Sequence, residues 1–391
     1  ITAERLLIIV LVGVLAGYSC LPNPWFHNAW LLLGGLACAR RLVMPPWHAF
    51  WPAWTFLGWM ALRSVFSASE SLMEGLHGLA LLLLVLLLFF NGARNSKVMP
   101  LTGIWTGHLS ALAAVISLVW HLKRFGTNFE DYRLQNLLVY DGLNPVCTGL
   151  LFGFCGLWLC AMPLTRLTAL SSLVLTTSAF CSGSRGAMLA LLAGHLVLLA
   201  ARGLKQAWKP FLILLAAGCL FSLSGTLVKR PETTPAAGHS ISQPMARVIA
   251  RPTEGRMGIY EAGWRSLETP MNHLIGIGQW GTQQRWKQHL PPDPWNLSGH
   301  LHSAFFATYV HGGLIGAALL LMLMTRLAGR AWLCLKNGDA AWPAMLTYGV
   351  AALVFDGESF GTLLTLPRFE TLLFWLPATA LLTGEARQSG A

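Results

Sequence analysis

Long apolar windows separated by short polar turns recur along almost the whole chain. A helix needs roughly 20 mostly apolar residues to cross a hydrocarbon core about 30 Å thick. Windows of that character fall at 5–21, 24–39, 47–66, 72–90, 98–121, 144–162, 164–181, 186–201, 209–227, 302–325, 340–356 and 369–383. They predict an all-α integral membrane protein with about twelve transmembrane helices. The division within 144–181 rests on one brief interruption, Met162 to Arg166. The stretch 1–21 resembles a signal sequence, but it has no clear cleavage site and another span follows soon after. It is read as a true helix.

Composition agrees. Of 391 residues, 54% are hydrophobic and only 11% charged, whereas a soluble domain is nearer a quarter charged. The 17 tryptophans, many of them flanking apolar runs, fit the aromatic belts of a bilayer protein. A net charge of +11 raises nucleic acid as a partner, but there is no basic helix or Lys/Arg run for that role. The eight cysteines are scattered, mostly in apolar runs, with no CxxC pair. They read as packing residues rather than as disulfide or zinc ligands.

Cations set the orientation. Alternate short loops carry Arg40 and Arg41, Arg94 and Lys97, Arg166, then Arg202, Lys205 and Lys209, then Arg326, Arg330 and Lys336. With twelve spans, the positive-inside rule makes those loops and both termini cytoplasmic. The opposite face then receives 122–143, the turn at Arg185, the segment 228–301, and the turn with Asp356 and Glu358. The chain therefore reads as a single membrane domain, 1–391, with 228–301 inserted on the outer side between the ninth and tenth helices. That segment opens on an irregular Pro/Thr stretch, KRPETTPAAGHSISQP. EGRMGIYEAGWRSLE, residues 254–268, follows as a short amphipathic helix against the membrane. TPMNHLIGIGQWGTQQ and LPPDPWN read as turn-rich from their Gly and Pro content.

Four polar features lie on this outer side. Arg185, in CSGSRGAMLALLAG, heads a helix whose unpaired backbone N–H groups and positive dipole end suit an anion; the alternative is an ordinary interfacial arginine. Arg256 and Arg265 lie nine residues apart and project from opposite faces of one helix, and Arg265 reads equally well as solvated. His302 is placed at the start of the next span, with Phe306, Tyr309 and Gly313 on its face, while His311 faces away. His300 and His302 resemble a metal-binding pair, but no carboxylate or thiolate cluster completes a shell. Asp356 and Glu358 suit orienting a histidine or binding an acceptor hydroxyl, or are simply loop acids.

Arginine forks grip phosphate, and a neutral histidine is a general base. A phosphate-gripping site without metal, on the outer face, suits group transfer from a lipid-linked pyrophosphate. A transporter of lipid-linked sugar would spread polar groups through the mid-membrane, often with repeat symmetry. Here they gather on one face, and the exceptions, Arg63 and Glu74 near helix ends, can snorkel.

SGSRGA before a helix, GRMGIYEAGW followed by PMNHLIGIGQWG, and HLHSAFFATYVHGGLIG together resemble the O-antigen ligase/polymerase superfamily. The resemblance implies a GT-C-type, metal-independent glycosyltransferase that takes an oligosaccharide from undecaprenyl pyrophosphate and needs no cofactor. It also implies a bacterial inner membrane location with the site facing the periplasm. The acceptor is a lipid A–core sugar in the ligases and another lipid-linked repeat in the polymerases. Carried over by position, Arg185 and Arg256 hold the pyrophosphate and His302 is catalytic. Arg133, in DYRLQNLLVYDGLNP, matches an arginine found before Asn-Pro, and Arg265 is a further candidate for the pyrophosphate. Asp356, Glu358 and Tyr309 are candidates for the acceptor. Ser303 stands where the family commonly has Asn, and Tyr260 where Trp is frequent. Eight cations against five carboxylates in 228–301 suit a phosphorylated acceptor, which leans the reading toward a ligase.

Overall fold

The computed structural model describes residues 2–21, 24–67, 72–129, 132–139, 144–226, 254–289, 301–361 and 369–389. The regular elements among them are all helices, with no strand among the described residues. A helix lies at every predicted apolar window: α1 (Ala3–Cys20), α2 (Pro24–Cys38), α3 (Trp47–Ser67), α4 (Leu72–Ala93), α5 (Val98–Phe125), α6 (Pro145–Ala161), α7 (Arg166–Cys181), α8 (Arg185–Arg202) and α9 (Leu204–Thr226). Three further helices, α10 (Glu254–Arg265), α11 (Pro270–Ile275) and α12 (Gly278–His289), precede α13 (Ala304–Lys336) and α14 (Ala341–Phe355). The last, α15, opens with a π-helical turn at Thr371–Trp375 and continues as Leu376–Ser389. Among the described residues, six helices are long and apolar enough to cross a membrane, and the helices from Pro145, Arg166, Ala341 and Thr371 are shorter apolar ones. This is a multi-pass membrane protein.

Local chemistry explains the division at 162–165. Thr165 and Thr168 form a reciprocal capping box at the start of α7, which satisfies two otherwise orphaned donors. Close packing follows from small residues. A Cβ at Gly103 would meet the Trp158 ring, and one at Gly107 would meet Leu159, so α5 approaches α6 through its glycines. The Ser172 hydroxyl donates to the Gly156 carbonyl at 2.8 Å, the kind of interhelical bond used where water is absent. The eight cysteines are free thiols. Leu36, Leu112, Leu212 and Leu321 are exposed, forming the apolar outer surface that a bilayer requires.

One end of the bundle gathers many helix termini. The chain after α5 folds back into it, where the Leu134 N–H donates to the Cys181 carbonyl at 3.0 Å. Asn136 is buried. Its backbone N–H donates to Thr148 Oγ1 and its side-chain amide to the Ser19 carbonyl, both at 3.0 Å. The start of α8 packs on the end of α14, where a Cβ at Gly186 would lie 3.4 Å from the Phe355 Cβ. The C-terminal ends of α1, α7 and α14 and the N-terminal ends of α6 and α8 therefore meet.

Residues 254–265 form the predicted amphipathic helix, but the following stretch, predicted as turns, makes two helices around a glycine corner. Thr269 caps α11 by accepting from the Asn272 N–H, with Pro270 at the first helical position, where its missing N–H costs nothing. Gly276 (φ 75°) and Gly278 (φ 71°) then turn the chain. This corner docks against a break in α13 at Gly313 (φ 66°, ψ −165°). The Ile277 N–H donates to the Val310 carbonyl at 3.0 Å. Trp59 Nε1 donates to the Gly312 carbonyl at 2.8 Å and Arg63 Nη2 to the Gly276 carbonyl at 2.9 Å. Arg63 is thus tied to backbone, in place of the expected snorkelling; the Glu74 side chain, the Pro/Thr stretch and LPPDPWN lie outside the described residues.

A Cβ at Gly276 would sit 2.2 Å from the His311 carbonyl oxygen, whereas one at Gly329 meets nothing within 4 Å. Gly276→Ala is therefore expected to destabilise the protein by at least about 1–3 kcal/mol. Gly329→Ala, in a helix interior, should be neutral or gain up to about 1 kcal/mol. Thermal unfolding of both variants in one detergent checks the contrast.

Candidate functional site

The polar side chains at the gathered end come from five separate parts of the chain. Ser184 caps α8, its hydroxyl accepting from the Ala187 N–H at 3.3 Å, after a turn through Gly183 (φ 61°). Arg185 is therefore the first helical residue, half-buried, beside the positive end of the helix. Arg133 reaches the same turn: its Nε donates to the Ser182 carbonyl at 2.6 Å. The two cations, far apart in sequence, share one anion-favouring corner.

His302 lies just before α13 and meets the residue that ends α14. Its Nδ1 is 3.0 Å from Asp356 Oδ1, with the histidine side chain 18% and the aspartate 4% exposed. Asp356 caps the C-terminus of α14 and also accepts from the Gly357 N–H at 2.9 Å. Since a carboxylate only accepts, the neutral imidazole carries its proton on Nδ1 and presents a lone pair at Nε2. Among described non-glycine residues, His302 alone has a positive φ, 52°. That left-handed backbone is strained for a residue with a Cβ and is a feature found at functional sites.

The helix does not start at His302, as expected, but at Ala304 with Ser303 as its cap. The expectation that His302 shares a helical face with Phe306, Tyr309 and Gly313 therefore does not apply. Tyr309 is instead engaged by the inserted helices: its hydroxyl is 2.8 Å from His273 Nδ1, and its ring stacks on Trp264 at 5.9 Å. His311 is buried, in keeping with a packing role.

Arg256 lies one turn before Tyr260 on α10, and Tyr260 reaches the His302–Asp356 pair. The Tyr260 hydroxyl donates to the His302 carbonyl at 3.3 Å, and its ring packs edge-on to Phe306. Burial raises the Tyr260 phenol above its ordinary range, Arg256 pulls it back, and Asp356 pushes it further up. Arg265 is placed differently, exposed and paired with Glu261 four residues earlier; such surface pairs contribute little. Glu358 is buried and accepts from Gln279 Nε2 at 3.1 Å, while its own N–H donates to Glu370 Oε1 at 2.8 Å.

The structure therefore brings Arg133, Arg185, Arg256, His302 and Asp356 to one end of the bundle. It turns Arg265, Tyr309 and Glu358 to other partners. Among the described residues, no group of three or more His, Cys, Asp or Glu side chains is placed to hold a metal; His300, Arg247 and Arg251 lie outside them. Tyr260, Gln279 and Glu370 went unselected in the sequence. A carboxylate at the head of an apolar window was the available signal for Glu370.

The family model described as O-antigen ligase matches residues 169–321. The motifs that carry the resemblance all lie within this stretch, which holds Arg185, Arg256, Arg265, His302 and Tyr309. Arg133, Asp356 and Glu358 fall outside it. No curated protein matches the chain.

Ser303 accepts from the Phe306 N–H at 3.5 Å, and Asn caps helices as well as Ser does. Ser303→Asn is expected to keep stability and activity. Ser303→Ala is expected to lower stability by about 0.5–2 kcal/mol, read as a fall in melting temperature.

Proposed function

We propose, from the premise that residues 169–321 match the O-antigen ligase family, that the protein is an O-antigen ligase. It transfers O-antigen polysaccharide from undecaprenyl pyrophosphate to a hydroxyl of lipid A–core, at the periplasmic face of a bacterial inner membrane. In this reading the twelve apolar helices all span the bilayer in a GT-C-like arrangement, and 228–301 is periplasmic. The observation that carries the proposal is the His302–Asp356 pair at the same bundle end as the Arg185 turn.

The chemistry follows from those groups. Asp356 holds the imidazole by its Nδ1–H, so Nε2 faces the acceptor hydroxyl as a general base. The deprotonated oxygen attacks the anomeric carbon of the donor sugar, and the bond to the pyrophosphate oxygen breaks. One displacement of this kind inverts the anomeric configuration. Negative charge grows on the leaving pyrophosphate, where Arg185, Arg256 and Arg133, with the N-terminus of α8, stabilise it. Asp356, buried beside the ring, stabilises the imidazolium that forms. No step calls for a metal.

His302→Ala is expected to lower transfer by about 10²–10⁴-fold while binding of undecaprenyl pyrophosphate stays near wild type; Asp356→Asn should give a smaller loss. Equal loss of binding and turnover in His302→Ala would make the histidine a phosphate ligand instead. Arg185→Lys and Arg256→Lys keep the charge but lose the fork, and are each expected to reduce transfer by roughly 10²–10³-fold at normal protein level. Activity of the purified protein should survive EDTA. Loss with EDTA and recovery with Mg²⁺ or Mn²⁺ would overturn the metal-free mechanism.

A deletion in a host bearing O-antigen separates ligase from polymerase. A ligase mutant accumulates long polymer on its lipid carrier and displays bare core. Core capped by a single repeat would assign the protein to polymer synthesis.

A further inference from the structure

We infer that Arg63, near the C-terminal end of α3, is a positioning residue: it holds the glycine corner of the inserted segment against the break in α13 and so sets the placement of Arg256. The inference rests on the reading of Arg256 as a pyrophosphate ligand.

Partial burial of a guanidinium is costly unless it is paired, so its partner is the first thing to identify. Arg63 is half-buried, and its Nη2 donates to the Gly276 carbonyl. One turn earlier on the same face of α3, Trp59 donates to the Gly312 carbonyl. The two recipients are the two places where backbone leaves helical geometry, the corner at Gly276 and the break at Gly313. Away from water, carbonyls freed by a helix break need new donors, and α3 presents two at helical spacing.

Contact at this joint leaves no slack. A Cβ at Gly276 would lie 2.2 Å from the His311 carbonyl oxygen, and one at Gly313 would lie 2.3 Å from the Leu274 carbonyl oxygen. Two structures diverge from the corner. On one side α11 leads back to α10, whose Tyr260 bonds to the His302 carbonyl, with Arg256 one turn earlier on the same face. On the other, α12 carries Gln279 to Glu358, two residues beyond Asp356. A shift at Gly276 therefore moves Arg256 relative to the base, and such displacement slows a reaction although no reacting group is lost.

The test uses full-length protein in nanodiscs, with two readouts. One is amide hydrogen exchange across 270–280, which includes the Ile277 N–H bonded to the Val310 carbonyl. The other is steady-state transfer from an undecaprenyl-pyrophosphate-linked donor. Arg63→Met should speed exchange across 270–280 without changing it in α6, and should lower transfer by roughly 10- to 100-fold with a raised KM for the donor. Arg63→Lys, which keeps a donor and the charge, should recover part of both.

Wild-type exchange in Arg63→Met, or faster exchange with unchanged transfer, overturns the inference. So does Arg63→Lys behaving no better than Arg63→Met, which would trace the effect to lost bulk. If Arg63→Met does not fold, Trp59→Phe removes the neighbouring donor and keeps an aromatic ring. It should loosen the same peptide, and wild-type exchange there counts equally against the inference. A wild type that transfers nothing from a pyrophosphate-linked donor would sink the proposed function, while the exchange result would still decide the role of Arg63 at the joint.

Discussion

Backbone amides and carbonyls inside a bilayer have no water to turn to, and that constraint organises this molecule. It makes the apolar windows helical, because only a helix satisfies its own backbone within one segment. It also explains the polar side chains buried between helices. Ser172 spends its hydroxyl on the Gly156 carbonyl and Asn91 its amide on Val43 and Leu87. Where α13 departs from helical geometry at Gly313, three donors from elsewhere arrive at the joint: Ile277, Trp59 and Arg63.

The same constraint says where a reactive site can be built. A helix end leaves several backbone groups without intrahelical partners, so an end of the bundle is both polar and fixed in place. Here the start of α8 supplies the positive end of a helix with Arg185 on it, and the end of α14 supplies Asp356. Because these two helices pack side by side, an anion site and a carboxylate-held histidine become neighbours without a dedicated domain. The strained backbone of His302 is held by its surroundings: Ser303 is committed to capping, Tyr260 to the carbonyl, and Asp356 to the ring.

The sequence discloses what is local. The apolar windows gave the helices, Ser184 and Arg185 read as a capped helix start, and 254–268 read as amphipathic. Asp356 and Glu358 were both noticed, yet spacing alone did not separate the one that meets His302 from the one that meets Gln279. Contacts between distant segments were illegible for a physical reason. Nothing near Arg63 encodes a carbonyl two hundred residues away, and nothing near Arg133 encodes Ser182. The glycines of the GIG corner do turn the chain, as their composition suggests, but the helices on either side and the close approach of Gly276 to the His311 carbonyl are not legible from it. Close approach depends on what stands opposite.

The chain after α5 carries a consequence for assembly. Asn136 is enclosed by α1 and α6, and Leu134 and Arg133 bond to backbone at the end of α7. A protein threaded into a membrane from its N-terminus must hold this segment in waiting until the seventh helix arrives. Only then does Arg133 acquire its place. His302 follows much later still, after the inserted segment. The corner of Arg133 and Arg185 can thus assemble before His302 and Asp356 are made, and a truncated chain would keep that corner without the histidine–aspartate pair.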